Sequence, residues 1–214
     1  MQTDMTVGKP MKMLLNFTIP VFLGNVFQQL YSMADAVIVG KFVGTKGLAA
    51  VGATGTITFL IIGFLMGVTT GVTVLTSQKF GAGRMDEMRK TVGNAAILSA
   101  VIAVVMTAVS MLGMHRLLVF MHTPEDIFDG AYGYIMIICA GIFTQVLYNL
   151  VSSILRALGN SKTPLYFLIL AAGLNIVLDL VFIIFFHWGA PGAAWATVIS
   201  QGVSGVLCLI YMWK

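Results

Sequence analysis

The dominant feature of this sequence is a succession of apolar stretches, each long enough to cross a lipid bilayer. A spanning helix needs about 20 consecutive, predominantly apolar residues. Charged residues make up only 9% of the 214-residue chain and hydrophobic residues 58%, whereas a soluble domain carries about 25% charged residues. The polar segments between the stretches are too short to fold outside the lipid. The sequence therefore predicts an all-α integral membrane protein and excludes a water-soluble fold.

Polar and proline-containing segments divide the apolar stretches into six predicted spans. The most polar segment, 78–90 (QKFGAGRMDEMRK), must be a loop, and 156–163 forms another. Pro164 and Pro191 open the last two spans, because proline fits the first turn of a helix. We therefore predict one six-transmembrane-helix bundle over residues 1–214. Its approximate spans are residues 11–39, 48–77, 91–114, 124–155, 164–186 and 191–213.

The distribution of basic residues indicates how this bundle is oriented. Cytoplasmic loops of membrane proteins are enriched in Lys and Arg, and most of the 12 basic residues fall on one side when the N-terminus is placed inside. Both termini are therefore predicted to be cytoplasmic. The basic residues are scattered between apolar runs, so the net charge of +4 does not indicate a nucleic-acid partner. The inner set is Lys9, Lys12, Lys79, Arg84, Arg89, Lys90, Arg156, Lys162 and Lys214, and the outer set is Lys41, Lys46 and Arg116.

Two acidic residues, Asp35 and Asp179, lie inside apolar stretches. A charged side chain at bilayer depth costs about 2.5–3.5 kcal/mol or more unless it is hydrated, paired or protonated. No Lys or Arg inside a predicted span can neutralise either acid. Asn175 lies four residues before Asp179 and shares its helix face. Such carboxylates suit a proton carrier or a sodium ligand, and the alternative is that each acid only hydrogen-bonds a neighbouring helix.

Polar residues recur at helical spacing on four of the six predicted spans. One such stripe commonly reflects hydrogen bonding between helices. Four stripes favour convergence on a water-filled cavity, although packing alone stays open as an alternative. The stripes are Asn25, Gln28, Ser32 and Asp35; Gln145, Asn149, Ser152 and Arg156; Asn175 and Asp179; and Thr197, Gln201 and Ser204.

Other residues bear on helix shape and packing. Pro20 lies inside the first span, where it removes a backbone donor and clashes with the preceding turn, so a kink is predicted there. Small residues at intervals of four let helix backbones approach closely. They recur as Gly63, Gly67 and Gly71 in the second span, and as Gly192, Ala196 and Ser200 in the sixth.

Four motifs occur in a characteristic order along the chain. They are Pro20 followed by Tyr-Ser-Met-Ala-Asp35, Gly-Ala-Gly-Arg84, the segment 156–164 (RALGNSKTP), and Asn-Ile-Val-Leu-Asp179. In this order, and with six spans, the chain resembles the N-terminal lobe of the multidrug and toxic compound extrusion (MATE) family. The resemblance covers essentially the whole chain. It implies one lobe of a twelve-helix transporter, because members of the family carry twelve helices.

The resemblance also implies a function and a set of site residues. Members of the family exchange protons or sodium for drugs and organic cations by alternating access, which implies a cation-coupled antiporter lobe in a bacterial or archaeal plasma membrane. The expected partners are membrane lipid, the cargo, and a second six-helix lobe, either a missing C-terminal half or a second copy. No cofactor is expected besides the coupling ion, and no metal beyond sodium. The implied cation-binding residues are Asp35, Asn175, Asp179 and Thr197, and the implied cavity residues are Gln28, Tyr31, Tyr134, Gln145 and Asn149.

Other classes of function fit less well or stay open. A lipid-linked saccharide flippase of the same superfamily is an alternative, but a phosphate-bearing substrate calls for basic residues, and no predicted span interior contains Lys or Arg. A non-transporting fragment is a further alternative. An intramembrane aspartyl protease is excluded, because Asp35 follows Ala34 and Asp179 follows Leu178 instead of the Tyr-Asp and Gly-x-Gly-Asp contexts. The chain is therefore predicted not to be an enzyme. The three histidines, His115, His122 and His187, have no partners at metal-ligand spacing.

Overall fold

The computed structural model describes residues 10–213, and within this range the chain is built of helices without a β-strand. Seven α-helices follow one another with short connections. A π-helical segment, Val181–Phe185, directly continues the sixth of them. The helices are α1 (Pro10–Phe42), α2 (Thr45–Gly81), α3 (Met85–Phe120), α4 (Glu125–Ala140), α5 (Ile142–Ala157), α6 (Lys162–Leu180) and α7 (Gly189–Trp213).

The described helices have the length and apolarity of membrane spans. Five segments are each long and apolar enough to cross a membrane: α1, α2, α3, α6 with its π-helical continuation, and α7. α4 and α5 are long and apolar enough only when taken together, and they are bent by 46° at the break between them. With that pair counted as one span, the described part of the chain has six candidate spans. The predicted all-α membrane fold is therefore confirmed.

The two longest helices, α2 and α3, extend beyond the spans predicted for them. They contain 37 and 36 residues, which at 1.5 Å per residue corresponds to roughly 55 Å. The hydrocarbon core of a bilayer is only about 30 Å thick, so these helices tilt or project beyond it. Lys9 and Lys214, which contribute to the predicted orientation, lie outside the described residues.

The segment 124–155, predicted as one span, contains two helices that meet at Gly141. A Cβ atom on Gly141 would lie 2.2 Å from Val198 Cγ2 of α7. Only a glycine therefore allows α7 to pack this closely against the α4–α5 junction. The bend turns α5 at the point where its polar residues begin, with Gln145 one turn later.

α7 is the central helix of the bundle, because it packs against α4, α5 and α6 together. Its small residues are buried, and a Cβ on Gly192 would lie 3.2 Å from Phe182 Cβ. The predicted close packing of the sixth span is thus confirmed. α1 is different: it packs mainly on α6 and leaves most of its length exposed. Large apolar side chains such as Leu14, Phe22 and Met33 lie on that exposed surface.

The glycine row of α2 does not serve the predicted purpose within the described chain. Gly63, Gly67 and Gly71 are exposed, and no atom lies within 4 Å of a Cβ built on any of them. That prediction was wrong for contacts inside this bundle. Spacing of small residues identifies a smooth helix face, but it does not identify what covers that face.

Candidate functional site

The two membrane-embedded acids come together from different helices. Asp35 of α1 and Asp179 of α6 lie within hydrogen-bonding reach of each other. Asp35 is 8% exposed and Asp179 is fully buried. The Oδ1 atom of each carboxyl group lacks a hydrogen-bond partner among the described residues. Because two desolvated carboxylates in contact repel each other, this arrangement favours a proton or a cation between them.

No basic side chain neutralises this carboxylate pair in the described part of the chain. The ion pairs there join Lys46 with Asp126, and Lys79 and Arg84 with Glu87. All of them lie near helix ends, away from Asp35 and Asp179. The charge of the pair must therefore be balanced by protonation or by an ion that is not a side chain.

Asn175 and Thr197 complete a small hydrogen-bonded network around the acids. With its amide oriented to suit both neighbours, Asn175 Nδ2 donates to Asp179 Oδ2 at 3.1 Å, and its amide oxygen accepts from the Thr197 backbone N–H at 3.3 Å. Tyr31 Oη donates to Thr197 Oγ1 at 3.0 Å. The network joins α1, α6 and α7. It brings together all four residues that the family resemblance implies for cation binding.

The oxygen-rich composition of this network determines what it can hold. Carboxylate, amide and hydroxyl oxygens are hard donors, which suit hard cations as well as a proton. Within residues 10–213, no group of three or more His, Cys, Asp or Glu side chains is placed to hold a metal ion. The chemistry of this donor set therefore fits a proton or a weakly held monovalent cation.

A polar cavity of about 230 Å³ opens beside the network. Asp35 and Thr197 line it, whereas Asn175 and Asp179 lie fully buried behind its wall. All five residues that the resemblance implies for the cavity line it, and they come from α1, α4 and α5. These five lining residues are Gln28, Tyr31, Tyr134, Gln145 and Asn149.

The cavity has further polar residues that were not assigned to it from the sequence. Gln201 is visible in the stripe of α7, four residues after Thr197. Thr58 of α2 gives only a short signal, because Thr54 lies four residues before it but apolar Ile61 and Ile62 continue the same face. Its buried hydroxyl lacks a partner among the described residues. Ser204 shows the opposite case, since its hydroxyl donates to the Phe167 carbonyl at 3.0 Å. Part of the polar stripes is therefore helix packing.

A second, smaller cavity of about 50 Å³ adjoins the first and shares Gln28, Tyr148 and Asn149 with it. Arg156 lines this smaller cavity, because α5 continues to Ala157. Arg156 thus lies in the last turn of α5, one residue beyond the predicted span end at 155. Pro20 also lines the smaller cavity. α1 is helical through Pro20, and the kink expected there stays a prediction.

Membrane-length helices around a polar cavity, with uncompensated carboxylates at its end, are typical of membrane transport proteins. A family model described as MatE matches residues 20–181. The match covers most of the chain, and the chain belongs to the MatE family. The resemblance inferred from the four motifs is thereby confirmed.

The relatives of this chain are about twice as long as the chain itself. It is 33% identical over 211 residues to the probable multidrug resistance protein YpnP of Bacillus subtilis, covering 99% of this chain and 47% of the relative. It is 30% identical over 202 residues to the probable multidrug resistance protein YoeA of the same organism, covering 92% and 44%. The chain thus spans about half the length of these curated relatives.

A solved structure of about twice this length contains the same fold. A transporter of the MOP superfamily from Pyrococcus furiosus superposes with a TM-score of 0.91 at 29% identity, covering 96% of this chain and 45% of that one. None of these three proteins is described as an enzyme, in agreement with the prediction that this chain is not one.

Proposed function

We propose that this chain forms one lobe of a cation-coupled exporter, in which protons or sodium ions entering the cell drive drugs and organic cations out by alternating access. The observation that carries the proposal is the buried Asp35–Asp179 pair at the end of a polar cavity. Membership of the MatE family supports a transporter of this class. The coupling ion, the cargo and the mechanism are the content of the proposal.

The ion acts by removing the repulsion between the two carboxylates. A proton shared between Asp35 and Asp179, or a sodium ion held by their oxygens, stabilises the arrangement that brings α1 and α6 together. Loss of the ion leaves two desolvated negative charges in contact and favours separation of the helices. Because Asn175 links Asp179 to the Thr197 backbone, the change in occupancy also reaches α7.

α1 is the element through which we propose that occupancy changes the shape of the cavity. It carries Asp35 and Tyr31 toward the network and Pro20 toward the inner end of the lobe. Proline removes one backbone hydrogen bond and weakens the helix at that point. The cavity then binds cargo with different affinity in the two states, as any ion-driven conformational change requires.

A second lobe is needed to complete the binding site. The cavity of about 230 Å³ is smaller than the roughly 300–1,000 Å³ of common ligand sites. Asn25 and Gln29 are exposed on α1, and polar groups facing hydrocarbon are costly. Their exposure supports a protein partner on this face, supplied by a further segment of a longer protein or by a second copy.

The proposal is tested by neutralising the carboxylates while keeping their shape. Asp35→Asn, Asp179→Asn and the double variant are placed in proteoliposomes in the assembly that carries both lobes, and ethidium movement is followed under an imposed proton gradient and, separately, a sodium gradient. We expect gradient-dependent transport to fall to the level of empty liposomes in the double variant, because an amide can neither take up nor release the ion. The gradient that drives the wild-type protein identifies the ion.

Asp126→Asn is the matched control, since Asp126 is exposed and its ion-pair partner among the described residues is Lys46 at 3.6 Å. It should transport like the wild type. Equal membrane insertion of all variants is verified before rates are compared. Wild-type, gradient-dependent transport by the double variant would refute a coupling role for this pair.

A further inference from the structure

We infer that Arg156 forms an anion-recognising subsite at the inner end of the cavity, which binds the carboxylate of zwitterionic cargo. The inference rests on the proposed function, because it requires that the lobe binds organic cargo. It adds a second recognition element to the carboxylate pair at the other end. It also assigns a substrate class: compounds that carry a carboxylate beside a positive charge.

Arg156 is placed to contact a molecule in the cavity. It lies in the last turn of α5, is partly buried, and lines the smaller cavity of about 50 Å³ together with Asn25, Asn149 and Ser161. One water needs about 10–15 Å³ of such space, so this cavity has room for a group the size of a carboxylate but not for a ring system. The shared residues Gln28, Tyr148 and Asn149 make it the inner extension of the larger cavity.

The guanidinium of Arg156 has no anionic partner within residues 10–213. None of the ion pairs found there includes it, and its one side-chain hydrogen bond, from Nη2 to Ser153 Oγ, is long at 3.5 Å. A guanidinium offers five N–H donors in a planar fork that matches a carboxylate. A partly buried fork that is aimed into a cavity and lacks a counter-ion is therefore a site for an external carboxylate.

Arg156 does not serve as the counter-ion of the Asp35–Asp179 pair. Asn149 precedes Arg156 by seven residues and Gln28 precedes Asp35 by seven, and each interval corresponds to about 10 Å along a helix. The two charged ends are therefore on the order of 20 Å apart, far beyond the separation of about 4 Å or less that an ion pair requires. Cargo held at Arg156 places its apolar and cationic parts against the amides and tyrosines between the two ends, where tyrosine faces favour cations.

The test compares two dyes that differ in one group. Rhodamine 110 carries a free carboxylate, and rhodamine 123 is its methyl ester. Binding of both is measured by fluorescence anisotropy to the full chain in liposomes of phosphatidylcholine. We expect Arg156→Gln to weaken binding of rhodamine 110 about tenfold or more, as loss of a charge-assisted hydrogen bond implies, and to leave rhodamine 123 within twofold. Arg156→Lys should give an intermediate loss for rhodamine 110, because it keeps the charge but not the fork.

Arg89→Gln is the matched control, because Arg89 is an exposed arginine predicted on the same side of the membrane and is not part of the smaller cavity. It should bind both dyes like the wild type. Wild-type protein that binds rhodamine 123 but not rhodamine 110 would overturn this inference and leave the proposed function intact. Equal weakening of both dyes by Arg156→Gln would assign Arg156 a structural role and also overturn it. Binding of neither dye would refute the proposed function and this inference together.

The phosphate of a lipid headgroup is the alternative anion that competes with a cargo carboxylate for Arg156. The measurement is therefore repeated in liposomes that contain phosphatidylglycerol. Unchanged, Arg156-dependent binding of rhodamine 110 supports a cargo subsite. Loss of that binding in the anionic lipid would show that a headgroup occupies Arg156, and would overturn the assignment to cargo.

Discussion

The junction between α4 and α5 allows a sharp test of how the site is positioned. An added Cβ on Gly141 would lie 2.2, 2.8 and 3.0 Å from Val198 Cγ2, Cγ1 and Cβ, whereas carbon atoms prefer a separation of about 3.5–4.0 Å. Rotation of the Val198 side chain does not relieve the clash, because its Cβ is itself too close. In Gly141→Ala, α7 must therefore shift away by about 1 Å to restore ordinary contact.

The cost of this shift can be estimated from the contact itself. Overpacking of a well-packed core costs about 1–3 kcal/mol, and three simultaneous close contacts place Gly141→Ala near the upper end. The backbone does not oppose the change, since Gly141 has φ −82° and ψ 2°. We therefore expect a loss of about 2–3 kcal/mol in the free energy of unfolding. The double variant Gly141→Ala/Val198→Ala lacks two of the three clashing atoms and should recover part of the lost free energy of unfolding. The coupling free energy between the two substitutions should be about 2 kcal/mol.

The assay is equilibrium unfolding in mixed detergent micelles, followed by loss of helix signal. Gly67→Ala is the control, because Gly67 lies inside α2 and a Cβ there meets no atom within 4 Å. That variant should be as stable as the wild type or up to about 1 kcal/mol more stable, through helix propensity. The clash also has a functional consequence. Thr197 precedes Val198, so a shift of α7 stretches the Tyr31–Thr197 hydrogen bond of 3.0 Å and should reduce gradient-driven transport.

Wild-type stability of Gly141→Ala would refute the reasoning, because it would mean that α7 does not pack against the α4–α5 junction as described. Additive effects of Gly141→Ala and Val198→Ala would contradict the specific contact even if each single variant were destabilised. Loss of stability in Gly67→Ala comparable to that of Gly141→Ala would show that the open face of α2 is covered.

Three further outcomes are expected. A maleimide should label Ala82→Cys only from the cytoplasm and Glu125→Cys only from outside, since both positions are exposed and the native cysteines are buried; labelling of both from one side would contradict the predicted topology. Lys79 beside Glu87 lowers the pKa of that carboxyl below its ordinary 4.5, so the small stability advantage of the wild type over Glu87→Gln should be present above pH 4.5 and vanish as the pH falls through the lowered pKa. A difference that does not depend on pH would exclude this ion pair as its cause. The purified chain should self-associate or unfold readily in mild detergent, and a thermally stable monomer in light scattering would argue against the proposed need for a second lobe.

Much of the fold follows from the sequence because lipid imposes a simple rule. A backbone in hydrocarbon must satisfy its own hydrogen bonds, so apolar stretches of this length form helices. The break at Gly141 does not follow from that rule. Gly141 lies in an apolar run that reads as one span, and the reason for the break is the approach of Val198, a residue 57 positions later in the chain. The π-helical segment Val181–Phe185 likewise has no local signal in its apolar sequence.

The candidate site was predictable to the extent that its residues are costly in lipid. Asp35 and Asp179 are conspicuous because a membrane helix tolerates a carboxylate only for a reason, and Asn175 shares a helix face with one of them. Thr58 is inconspicuous, because a hydroxyl in a membrane helix can hydrogen-bond its own backbone, as Thr54 Oγ1 does to the Val51 carbonyl at 2.8 Å. Whether such a residue faces a cavity depends on the rotation of α2 against its neighbours, which one sequence does not specify.

Arg156 shows why a position near a span end has to be interpreted in three dimensions. In the sequence, Arg156 is one of the basic residues that predict which side of the bundle is cytoplasmic, and this explains its charge without any role in binding. In the bundle, α5 carries it to the wall of the smaller cavity, which adjoins the larger cavity lined by Asp35, with Asp179 buried behind that wall. The lobe therefore has an acidic and a basic end joined by neutral amides and tyrosines. A cavity of uniform negative charge would favour any cation, whereas this polarity favours cargo that carries both charges, and the proposed pair of dyes separates these two kinds of selectivity.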